Sequence, residues 1–282
     1  MPTLIIARLT FLEASRRKIL LSGLVLGVAF LILFNVGFYF ITSETGLPID
    51  AGPAAVILRN QVYNFLTNAG LYAVNFLSIA MGALVSADTL AGEINTGTIQ
   101  SLVTKPVRRA EVVLGKWLGF AGLIGLYLIL MVGGVLGSVY LGYGHTVPNV
   151  PAGISLIYME SLLIMTVTLA CSSTFSTLAT GGTIFGLYGI AFIGGWVEQI
   201  GAALQNQTAM NIGVVTSLII PSEALFRRAA YEMTSASVRA LGISFGPMFV
   251  VSIPSATMVV YAAVYTAVML GLAIRQFGKR DL

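Results

Sequence analysis

Long apolar runs, separated by shorter polar stretches, set the rhythm of the chain. Six reach membrane-spanning length: Ile19–Ile41, Ala69–Leu90, Trp117–Leu141, Ile154–Leu178, Thr183–Leu204 and Ser255–Ile274. About 20 apolar residues carry a helix across a hydrocarbon core of about 30 Å, with every backbone polar group satisfied inside the segment. Membrane-spanning strands would instead show short alternating segments. The pattern therefore predicts an all-α polytopic membrane protein with six transmembrane helices.

The polar stretches complete the organisation. Residues 1–18, containing MPTLIIARLTFLEASRRK, place Thr3, Thr10, Glu13 and Arg17 on one helical stripe and Leu4, Ile5, Leu9, Phe11 and Leu12 opposite. This predicts an amphipathic interfacial helix with Glu13 and Arg17 paired at i,i+4, and its charges follow the apolar part, unlike a signal peptide. Residues 19–282 form the six-span domain. Pro48 and Pro53 mark a polar connection after the first span, GYGHTVPNVP separates the third from the fourth, and TGG reads as a turn between the fourth and fifth.

Residues 205–254 make a connection far longer than usual. Within it, IPSEALFRRAAYEM predicts a short surface helix with Ser222 as N-cap and pairs Glu223–Arg227 and Arg228–Glu232. The flanking MNIGVVTSLII and LGISFGPMFVVSI are apolar but too short to span, which suggests re-entrant or interfacial packing. Small residues at Gly23/Gly27, Gly133/Gly137 and Gly182/Gly186 have the spacing that lets helices approach closely.

Composition agrees. Hydrophobic residues are 57% of the 282 and charged residues only 9%, with a mean hydropathy of +0.91. The lone cysteine, Cys171, excludes an intrachain disulfide and packs as a small apolar residue. The lone histidine, His145, lies in a polar turn and reads as solvated, with no metal constellation around it. The basic residues flank apolar spans, so they point to lipid headgroups and topology and not to nucleic acid. With the N-terminus inside, the cytoplasmic side holds eleven Lys and Arg and the outer side four, which predicts that both termini are cytoplasmic.

The segment 87–117 concentrates charge: Asp88, Glu93, Lys105, Arg108, Arg109, Glu111 and Lys116. It joins spans two and three on the basic side. Asn95, Thr96 and Gly97 should end the preceding helix, Thr98 can cap a short helix IQSLV, and Pro106 opens the next. A short charged helix held beneath the membrane suits docking to a soluble partner better than lining a pore.

The series Glu93, Gly97, Thr98, Pro106, Arg109, Gly115, Lys116 resembles the coupling-helix region of export-type (type-2) permease subunits of ATP-binding-cassette (ABC) transporters. The resemblance extends to the order of elements across nearly the whole chain. Arg108 departs from it, since a small polar residue is common there. The resemblance implies a transmembrane pathway built by two permease subunits, a homodimer or a pair of related chains, with Glu93, Gly97, Thr98, Pro106, Arg108, Arg109 and Lys116 facing cytoplasmic ATPase subunits. ATP and magnesium would then belong to that partner. The chain has no phosphate-binding loop of its own: Gly115-Lys116 precedes Trp117 and Gly278-Lys279 precedes Arg280, where Ser or Thr is required.

Inside the spans, Glu160 and Glu198 are candidates for a substrate route, because an intramembrane carboxylate costs about 2.5–3.5 kcal/mol at the centre of a spanning helix. Both are expected in the outer part of the bilayer. Asn35 and Asn75 join them as polar groups that form interhelical hydrogen bonds. Two other classes compete. An ion-coupled secondary transporter would favour midplane charged pairs and internal repeats, and a membrane-embedded lipid-modifying enzyme would need a convergent set of His, Asp, Glu or Ser. A subunit that transmits motion to an extracytoplasmic partner is a further variant of the ABC reading. The substrate is not legible.

Overall fold

The structure, a computed structural model, describes residues 2–44, 53–95, 108–235 and 252–279, with only the backbone path at 44, 53–54 and 90–95. Among the described residues every regular element is a helix: α1 Pro2–Arg16, α2 Lys18–Glu44, α3 Pro53–Asn95, α4 Arg109–Tyr143, α5 Val150–Ser172, α6 Thr177–Ala203, α7 Gln207–Ile219, α8 Ser222–Met233 and α9 Ala256–Lys279. Six of them, α2 to α6 and α9, are long and apolar enough to cross a membrane.

The helices overrun the apolar runs that announced them. α3 has 43 residues, about 64 Å at 1.5 Å per residue, so it exceeds the hydrocarbon core by far. Pro53 begins this helix instead of lying in a loop, because proline's missing N–H costs nothing in a first turn. The turn expected at TGG is helical. The chain breaks earlier, at Ser173–Ser176, where the Ser176 hydroxyl accepts from the Ala179 N–H at 3.5 Å and starts α6. Side-chain hydroxyls compete for backbone groups there, whereas Gly181 and Gly182 sit within a helix that satisfies its own backbone.

α5 is the central element, packed against α3, α8 and α9 and also touching α4 and α6. Its Ile157, Leu163, Ile164, Met165 and Leu169 are fully buried. By contrast, α2 and α9 are peripheral and expose most of their length. Asn35 shows the consequence: it is exposed on α2 and donates to the Leu31 carbonyl of its own helix at 2.7 Å, so among the described residues it hydrogen-bonds to no second helix.

The connection after α6 folds back on the bundle. α7 runs against α6, and α8 bends away from α7 by 109°. The expectation of a surface helix at 222–233 fails, because α8 buries Ala224, Leu225, Phe226, Ala229, Ala230 and Met233 against its neighbours. Its i,i+4 charges pointed to a solvated face, but packing on α5 leaves only Arg228, Tyr231 and Glu232 partly exposed. Ser222 is the first helical residue and Pro221 the cap. Residues 236–251, including most of LGISFGPMFVVSI, lie outside the described residues.

The glycine pairs divide. Gly23 and Gly27 face Met81 and Met131 closely, while Gly133, Gly137, Gly182 and Gly186 have open space at the Cβ position.

Candidate functional site

Two groups of polar side chains stand out, one at the basic end of the bundle and one deep within it.

At the basic end, α1 lies along the start of α4. A Cβ at Gly115 would come within 2.7 Å of Ile6 Cβ and 2.9 Å of the Thr3 carbonyl, and one at Gly119 within 2.7 Å of the Ala7 carbonyl. Backbone obstructs both positions, so only glycine permits the approach. Thr10 and Ala14 turn inward, while Leu4, Ile5, Leu9 and Leu12 remain exposed. Arg17 donates to Glu13 at 2.7 Å and also lies 3.5 Å from Asp88 on α3. Asp88 in turn accepts from the Thr177 hydroxyl at 3.0 Å, so α1, α3 and α6 are joined through one chain of polar contacts.

The predicted docking residues are distributed around this corner. Arg108 precedes α4, and its N–H donates to the Glu111 carboxylate at 3.0 Å, which covers one free donor at the helix start. Arg109 donates to the Gly278 carbonyl at 3.1 Å and joins α4 to the end of α9. Lys116 departs from an exposed anchor: it is 4% exposed and lines a crevice with Thr10, Glu13, Arg17 and Thr89. Gly97, Thr98, Pro106, the short helix at 99–103 and the Glu93 side chain lie outside the described residues.

The deep group sits where α3, α5, α6 and α8 converge. Glu160 is ten residues from the start of α5 and twelve from its end, so it lies at mid-helix instead of in the outer part expected from the apolar run. It is fully buried, and neither carboxyl oxygen has a hydrogen-bond partner among the described residues. Asn75 of α3 faces it, equally buried, with both amide atoms unpartnered. Beside them the Tyr72 hydroxyl donates to Glu223 of α8 at 3.2 Å. A Cβ at Gly195 on α6 would collide with Glu223 Cγ, so that glycine makes room for the carboxylate.

Glu198, also expected near accessible water, is instead 5% exposed and paired. Arg227 of α8 donates to its Oε2 at 2.8 Å and the Ser252 hydroxyl to its Oε1 at 2.6 Å. Arg227 therefore makes its ion pair with the neighbouring helix, while Glu223, its i,i+4 neighbour, feels its charge without a direct pair among the described contacts; Arg228–Glu232 does form, at 2.8 Å. Gln199 fastens the same strand of chain, exchanging hydrogen bonds with the Ser252 backbone at 3.2 Å.

Sequence reading thus found Glu160, Glu198 and Asn75 but missed Tyr72, Glu223 as a buried group, Arg227 as a partner of Glu198, and Gly119. The signal for Glu223 and Arg227 was available in their placement amid apolar residues in a chain this poor in charge. Their partners, 151 and 29 positions away, carried no local signature.

A family profile described as ABC-2 family transporter protein matches residues 4–282. The chain belongs to this family. The match runs across almost the full length, and with six helices among the described residues long and apolar enough to cross a membrane, it marks a multi-pass membrane protein of the ABC-2 transporter family. Among curated proteins it is similar to the uncharacterized protein YhcI of Bacillus subtilis (strain 168), 29% identical over 124 residues. That alignment covers 43% of this chain and 36% of YhcI, so the chain matches only about a third of that relative's length.

Proposed function

We propose that this ABC-2 permease is the membrane subunit of an exporter, driven by a separate ATPase that docks on the 87–117 loop. The observation that carries the reading is the corner where Gly119 seats α1 on α4, Arg109 ties the start of α4 to the end of α9, and Arg17 ties the end of α1 to Asp88 of α3. Residues 87–95 are the end of α3 and 109–117 the start of α4, so a force applied to the 87–117 segment acts on both helices directly. Through Arg109 and Asp88 it also reaches α9 and α6.

In this reading the corner is cytoplasmic and both termini lie inside the cell membrane, as the eleven-to-four distribution of basic residues favours. α1 lies in the headgroup layer with Leu4, Ile5, Leu9 and Leu12 in lipid, which suits their exposure beside an inward polar stripe. A second permease subunit completes the pathway. ATP and magnesium act on the ATPase, whose closure moves the two permeases between inward-facing and outward-facing states. Glu160, Asn75 and Glu223 supply polar groups beside the route and respond when α8 shifts against α5.

The experiment reconstitutes the permease with its co-purified ATPase in proteoliposomes. Glu93→Ala and Thr98→Pro should insert normally yet lower transport per ATP hydrolysed or release the ATPase. Acidic residues contribute little to topology, so a loop serving topology alone tolerates Glu93→Ala. Full coupling and full ATPase retention in both variants would sink the docking reading.

A further inference from the structure

At the end of the bundle opposite the basic corner, a cavity of about 280 Å³ opens between α3, the turn after α4 and Ser235. Its wall is polar and carries positive charge: Arg59, Asn60 and Asn64 from α3, the hydroxyl-bearing Tyr63 and Tyr143, and His145. Among the described lining residues there is no carboxylate. Two of the lining residues carry unanswered polar atoms: Arg59 Nε and His145 Nε2, 86 positions apart in sequence, are each buried without a hydrogen-bond partner among the described residues.

An unsatisfied buried guanidinium nitrogen is costly, and an arginine beside a polar void is geometrically suited to an oxyanion that accepts two of its N–H groups. Glu232 of α8, which accepts from Asn149 of the neighbouring turn at 2.8 Å, is already paired with Arg228 at 2.8 Å. Tyr63 meets the edge of the His145 ring, with centroids 5.8 Å apart, and Tyr143 with centroids at 5.5 Å, so aromatic packing holds the histidine and Arg59's helix in register. The cavity is far larger than the roughly 30 Å³ that one water occupies in the liquid, and admits a tetrahedral oxyanion with its remaining hydration.

We propose that this cavity is a binding site for a phosphate-type or sulfate-type oxyanion, with Arg59 as the charged ligand and His145 as a second donor. The same chemistry is presented by the phosphate of an anionic lipid and by a free oxyanion. Among the described residues, the titratable and charged groups that share the cavity wall with His145 are Arg59 and Tyr63 from α3 and Tyr143 from α4. None of them offers it a negative charge. A bound oxyanion does, so it favours the imidazolium, and binding tightens as pH falls.

The test uses the full chain purified into phosphatidylcholine nanodiscs. One arm titrates sulfate calorimetrically, since its charge is constant between about pH 8 and about pH 6. The other extracts the protein from mixed phosphatidylcholine and phosphatidylglycerol and counts retained phosphatidylglycerol by native mass spectrometry. Binding in the sulfate arm alone identifies a soluble oxyanion, retention in the lipid arm alone a lipid headgroup, and either supports the site. Arg59→Gln should weaken the positive arm by about tenfold or more, the loss expected for a charge-assisted hydrogen bond. Arg59→Lys, which keeps the charge but not the paired N–H groups, should retain only part of it, and Arg8→Gln, at the other end, should leave it unchanged. His145→Gln should bind with a flat pH profile where the parent chain tightens toward pH 6. Silence in both arms, or equal binding by the parent and Arg59→Gln, overturns the proposal.

Discussion

Arg227 on α8 reaches Glu198 on α6 across 2.8 Å, and each side chain is only 6% exposed. The pair bridges the two sides of the fold-back, because α7 lies between them in sequence and α8 turns 109° away from it. Two buried charges of opposite sign hold α8 in place, and each is costly without the other.

Removing one partner strands the other. Glu198→Leu should lower stability by about 3–5 kcal/mol, the range for an uncompensated buried charge, read as the loss of melting temperature in detergent. Adding Arg227→Met in the same chain should recover most of it. If the double variant melts no higher than Glu198→Leu, the pair does not hold α8.

Glu160 tests the deep polar group separately. Glu160→Gln keeps the shape and hydrogen-bonding capacity beside Asn75, so assembly and melting temperature should change little. Transport, or ATPase activity stimulated by substrate, should change if the group borders the substrate route. Unchanged activity alongside unchanged stability would restrict Glu160 to packing.

Gly119 should be the most sensitive small residue at the basic end. Its missing Cβ leaves room for the Ala7 carbonyl, so Gly119→Ala must push α1 from α4 at a cost of about 1–3 kcal/mol. A cysteine at Ala14, which is 2% exposed, should then label faster in a Cys171→Ser background. Gly133→Ala, which meets open space, serves as the control and should leave labelling unchanged.

Orientation can be read from surface positions. In a Cys171→Ser background, Arg275→Cys should label only from the cytoplasmic side and Thr146→Cys only from outside; both parent residues are exposed. Labelling of both from the same side would overturn the topology.

His145 gives the end opposite the basic corner a pH dependence. Burial pushes its imidazole below the ordinary histidine value of 6.5. The unfolded chain therefore binds the proton more readily, and this contribution to stability is lost as pH falls below that value. Melting temperature should decline on acidification from about pH 7 to about pH 5.5, with that component absent in His145→Gln. Saturating oxyanion should reduce the decline if it occupies the neighbouring cavity.

Hydrophobic run length by itself determined the all-α class and the six spans, because lipid admits long apolar helices and excludes exposed backbone. Residue positions alone placed the concentration of charge at 87–117, and i,i+4 spacing the Arg17–Glu13 and Arg228–Glu232 pairs, though not the fate of the equally spaced Glu223 and Arg227. Only the tertiary structure decided that α8 is buried, that Arg227 answers Glu198, that Glu160 meets Asn75 at mid-bundle, and that Lys116 turns into a crevice. Helical periodicity states which residues share a face, but not whether that face meets lipid, water or another helix. In a chain where nearly every face is apolar, that choice belongs to packing between segments distant in sequence.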